Sequence, residues 1–189
     1  MDPALQNIHG IPEFSSNWNL DNIDTSNLPA TVSPIHLCAL RNDLNEGDEA
    51  GESPTNHWTM CLQLSPQSSV MLDMAPGYGS DGLRGKVEAS SIGEPYTEET
   101  RRTFSFKPTK EITVGDVIRL VAERGRDAFS FSPEWEGCRF WMSTVMGDFE
   151  DAGLVEEGSA KTAKEALLKY WVNPEGSEPR VMREGTSRR

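Results

Sequence analysis

Positive charge, histidine and cysteine are all scarce in this 189-residue chain: 18 Lys and Arg stand against 30 Asp and Glu, with three His and three Cys. A formal net charge of −12 works against nucleic-acid backbones and anionic membrane surfaces, whose recognition depends on clustered Lys and Arg, so nucleic acid is not an expected partner. Cys38, Cys61 and Cys138 are too few, and odd in number, for the disulfide framework of a secreted domain, and they fit free thiols in a reducing compartment. No apolar run approaches the roughly 20 residues that a membrane-spanning helix needs. The opening MDPALQNIHGIPEF also lacks the basic and apolar regions of a signal peptide. A cytoplasmic protein without a membrane span is the expectation.

The length suits one core. Residues 1–30, rich in Asn, Ser, Asp and Pro, read as an extended or disordered arm whose aromatic residues could dock on the body; 31–173 form a single α+β domain; 174–189 form a polar tail. Strand signals fall at Val32–Leu40, His57–Leu64, Val70–Met74, RGKVEAS and RRTFSFKP, with SPQSS as the turn of a hairpin. In the second strand Trp58, Met60, Leu62 and Leu64 point to the core, and His57, Thr59, Cys61 and Gln63 point the other way. Helical signals follow. Thr113 and Asp116 form a capping box ahead of Val114, Val117, Ile118 and Val121. Cys138, Trp141, Met142, Val145, Met146, Phe149 and Ala152 then lie on one stripe that Gly153 closes. A third helix, with Ser159 as its cap, runs through Ala163, Ala166, Leu167 and Tyr170. Strands first and helices after predict an α+β fold, an antiparallel sheet of about five strands against two or three helices.

The chemistry concentrates on His57, which opens a strand, and Cys138, which opens a helix. A thiol at a helix N-terminus feels the positive end of the dipole and its unpaired N–H groups, both favouring the nucleophilic thiolate. His57 is the candidate base. Asp73, an unusual charge inside an apolar run, is the first choice to orient it, with Gln63 and Thr59 as weaker candidates. Glu134 and Glu136 oppose this reading, because carboxylates beside the helix start disfavour a thiolate. Trp135, Gly137, Tyr78 and Trp141 lie close in sequence to these segments and are candidates for a pocket or its rim, which would suit an apolar or aromatic small molecule. The competing reading makes Cys138 a small core residue on its own apolar stripe, His57 a satisfied strand-end histidine, and Asp73 a loop-edge or capping carboxylate.

The order of these elements, with HW at a strand start and GCRFW at a helix start, resembles the circularly permuted papain-like thiol enzymes, the NlpC/P60-like and lecithin:retinol acyltransferase-like proteins. That resemblance implies a permuted papain-like fold, His57 as base and Cys138 as nucleophile. It departs from the family in Gly137, where Asn is frequent, and in the lack of an obvious second histidine after His57. HWTMCLQL, SVMLDMAPGYG, GCRFWMSTVMGDFEDAGLV and EPRVMREG together also resemble a family of small fungal proteins, which carries no functional implication.

Two further patterns have less chemistry behind them. His36 with Cys38 and His57 with Cys61 share strand faces by parity, but H-x-C and H-x-x-x-C on strands are unlike the knuckle spacings of zinc sites, so no metal is expected. Gly77, Gly79 and Gly82 satisfy G-x-G-x-x-G, yet a strand pattern follows where dinucleotide binding needs a helix, so no cofactor is expected. The sequence therefore predicts a thiol-dependent acyl hydrolase or transferase acting on an amide, ester or thioester of a small molecule or peptide. The alternatives are a non-catalytic binding domain, or a biosynthetic enzyme working through a shaped aromatic pocket without covalent catalysis.

Overall fold

The computed structural model describes residues 14–43 and 53–188. After a single helical turn, Phe14–Asn17, the chain forms β1 (Trp18–Asn22), β2 (Ile35–Leu40), β3 (His57–Ser65), β4 (Ser68–Tyr78), β5 (Arg84–Ile92) and β6 (Thr100–Phe106). Then come α1 (Val114–Glu123), β7 (Phe129–Ser130), α2 (Cys138–Asp151), α3 (Ser159–Leu167), the hairpin β8 (Lys169–Trp171) and β9 (Ser177–Pro179), and β10 (Thr186–Ser187). The fold is α+β.

The five expected strands are β2 to β6, but the sheet has eight, in the order β10-β7-β5-β4-β3-β2-β6 with β1 beside β5. The expectation of about five strands is corrected by three additions, two of them two residues long and too short to leave a periodic signal. The third, β1, lies in the segment read as an arm. It pairs parallel to β5, Trp18 opposite Val87, and Trp18 enters the core. Residues 1–13 of that segment lie outside the described residues.

Period-two alternation explains the core. Ile35, Leu37 and Ala39 lie opposite Leu62, Met60 and Trp58, and Met60 and Leu62 lie opposite Leu72 and Val70. One face is therefore apolar across these three strands, and the apolar stripes of the three helices cover it. Met142, Val145, Met146 and Phe149 of α2 are fully enclosed there. The opposite face carries His36, Cys38, Thr59, Cys61 and Ser69, which are buried as well. Topology is the cause. β6 pairs with β2, not with β5, so the chain leaving β5 crosses this face: Ser69 Oγ donates to Glu94 O at 2.8 Å, and Tyr96 meets the His36 ring edge-on at 5.2 Å.

The helices follow their caps. Thr113 and Asp116 close the reciprocal capping box at the start of α1. At α3 the expected cap is displaced by one residue: Gly158, in the left-handed conformation, takes the cap position and Ser159 is the first helical residue. Glu150 of α2 supplies the missing acceptor, receiving Ala160 N–H at 2.7 Å. Tyr170, expected on α3, lies on β8 opposite Glu178, because the helix ends at Leu167 and the next residues pair as a hairpin.

Candidate functional site

The site lies where β3, β4 and α2 meet. The β3–β4 ladder runs from Ser65–Ser68 to Met60–Leu72, so His57 and Asp73 sit just past its end, both odd-numbered and on one face. Asp73 accepts from His57 Nε2 with both carboxylate oxygens at 2.9 Å. The two side chains are 28% and 20% exposed. The half-buried Cys138 thiol acts on the same ring, helping to raise its pKa.

Burial alone pushes the His57 ring toward its neutral form, but the hydrogen bonds and charges of Asp73 and Cys138 outweigh it and hold the ring's pKa well above the ordinary histidine value. The ring is therefore an imidazolium over a wider pH range than a free histidine. By linkage, its contribution to stability is fully present below about pH 6.5, the unperturbed value, and is lost as pH rises through the higher folded value.

The helix start is built by its surroundings. Gly137 caps α2 with φ 155° and no side-chain hydrogen bond. A Cβ there would lie 2.9 Å from Phe129 Cε1 and 3.2 Å from Phe131 Cδ1, which accounts for glycine at this position. The first helical bond at this end is Trp141 N–H to Gly137 O at 2.9 Å, so the amides of Cys138, Arg139 and Phe140 precede the helical ladder.

Glu136 is engaged in ion pairs. Arg139, only 4% exposed, donates from Nη2 to Glu136 Oε2 at 2.7 Å and to Val181 O at 2.8 Å. Arg183 lies 3.4 Å from Glu134 and 3.6 Å from Glu136. The two carboxylates expected to oppose a thiolate thus each have an arginine partner. Arg139 and Arg183 escaped the sequence reading. Arg139 at three residues from Glu136 had a helical-spacing signal, whereas Arg183 had none.

The remaining candidates divide. Gln63 Oε1 is bonded to the His36 ring at 2.8 Å, and Thr59 is buried opposite Cys38. Trp141 is corrected from rim to core: it is 1% exposed and its indole N–H donates to Arg126 O, because its position on the α2 stripe faces the sheet. Tyr78 donates its hydroxyl to Glu88 at 2.8 Å, and Glu88 is the strand partner of Asp73. Trp135 is 51% exposed. His36 uses both ring nitrogens, on Ser105 and Gln63, and among the described residues no group of three or more His, Cys, Asp or Glu converges as for a metal ion. Gly77, Gly79 and Gly82 form a turn, closed by Gly77 N–H to Gly82 O at 2.8 Å, that leads into β5 and not into a helix. A cleft of about 470 Å³ bordered by Arg41, Glu98, Glu99 and Arg101 includes none of these side chains.

The class so defined is an α+β protein in which an aspartate is hydrogen-bonded to a histidine whose charge a cysteine also favours. Residues 35–186 match a family described as a domain of unknown function (DUF7770), and the chain belongs to that family. No curated protein and no solved structure matches the chain. Among the described residues no helix is long and apolar enough to cross a membrane.

Proposed function

We propose that the chain is a thiol-dependent acyl hydrolase or transferase acting on an amide, ester or thioester, with Cys138 as nucleophile, His57 as proton carrier and Asp73 as the group that holds the ring. The observation that carries this reading is the His57 ring of β3, held by Asp73 of β4 and favoured in its charged form by both Asp73 and the Cys138 thiol at the start of α2. The Cys138 thiolate attacks the carbonyl carbon and forms the S–C bond, while the amides at the start of α2 donate to the oxyanion. His57 then gives its proton to the departing amine, alcohol or thiol, leaving an acyl-Cys138. Water or a second nucleophile, its proton taken by His57, displaces the acyl group and restores the thiolate–imidazolium pair. The element order and these roles support kinship with the permuted papain-like thiol enzymes as part of the same proposal.

The test is incubation with an activated ester, p-nitrophenyl acetate, read by p-nitrophenol release and intact mass. An acetyl adduct on Cys138 is expected, and Cys138→Ala should abolish both adduct and turnover while the fold, read by circular dichroism, persists. Unchanged turnover in Cys138→Ala contradicts the proposal.

A further inference from the structure

Of the five tryptophans, four are buried, none more than 8% exposed, and Trp135 alone is 51% exposed. It is also the one described non-glycine residue with positive φ, at 61°, a conformation that a bulky side chain adopts only when its surroundings impose it. Those surroundings are visible. Trp135 N–H donates to Ser132 O, and Ser132 N–H to Glu136 O, both at 2.9 Å, closing a tight turn. The ion pairs of Glu134 and Glu136 with Arg183, and of Glu136 with Arg139, pin both flanks of the tryptophan.

The indole is seated on the glycine turn between β4 and β5. A Cβ built on Gly82 would lie 2.5 Å from Trp135 Cη2 and 2.9 Å from Cζ2, so one side of the ring rests on a backbone position that has no room for a side chain. The rest of the ring stays in solvent. Cys138 lies three chain steps beyond Trp135, a backbone span of at most about 11 Å. A rigid aromatic shelf, strained into place and left open on the segment that leads into the thiol's helix, is a recognition surface whose chemistry is that of an indole: flat, apolar and suited to ring stacking.

We infer that Trp135 is a specificity-determining residue that stacks on an aromatic ring of the acyl substrate, so the preferred amides, esters or thioesters carry a planar ring a few bonds from the carbonyl. This rests on the reading of Cys138 as a nucleophile. Two thiol probes separate the two claims: N-benzyl-2-chloroacetamide and N-methyl-2-chloroacetamide, each forming an S–C bond and releasing chloride. With the full chain, the benzyl probe should alkylate Cys138 roughly threefold to tenfold faster than the methyl probe, the size that an aromatic pair contributes. Trp135→Asn, which tolerates the left-handed backbone, should bring the two rates together, and Trp135→Tyr should keep the preference. Equal rates in the unaltered chain, or a preference that survives Trp135→Asn, overturn the inference and leave the nucleophile reading standing. Labelling of Cys138 by neither probe overturns both.

Discussion

Asp73 is the residue around which the site turns. A carboxylate on a strand beside Leu72 and Met74, both fully buried, needs a partner to offset its loss of hydration, and His57 is that partner. Replacing Asp73 with Asn removes the charge and keeps the shape. The His57 pKa should then fall from its raised position toward or below the ordinary value, since burial is left opposed by Cys138 alone. NMR titration of the ring proton reads this directly, and an unmoved titration would sever the link between the two side chains. The pairing was legible in sequence because strand parity and an out-of-place charge are both visible in the letters. The neutralisation of Glu134 and Glu136 was not, because Arg183 lies in the polar tail and reaches them only through the folded chain.

At the scale of the element, α2 presents the thiol and its start is the most constrained stretch of backbone near the site. Gly137 is held against Phe129 and Phe131 with a φ that side chains rarely adopt. Gly137→Ala should cost about 1–3 kcal/mol, measured by urea unfolding, and a neutral result would mean that the rings move freely. The stripe of α2 and the capping box of α1 were predictable from spacing, since both are local. The cap of α3 was not, because Glu150 on a neighbouring helix supplies the acceptor that a serine was expected to provide. Cys138 packs at the margin of the core, and its thiol favours the charged His57 ring.

For the whole molecule, the long-range order is what the letters conceal. The parallel pairing of β1 with β5 joins segments some 70 residues apart, and the crossing of the chain from β5 to β6 buries a polar face that alternation alone assigns to solvent. That crossing has a chemical consequence: Cys38 and Cys61 are both fully enclosed, their mutual contact and burial push the Cys38 thiol far up, and only Cys138 keeps partial exposure. A folded chain should therefore offer one reactive thiol of three. The most direct test is iodoacetamide alkylation of the native protein at pH 7, followed by peptide mass spectrometry of each cysteine, in the unaltered chain and in His57→Gln. The predicted result is selective labelling of Cys138 that slows clearly without the imidazole, which favours the thiolate; an equal rate in both proteins would contradict the Cys138–His57 centre.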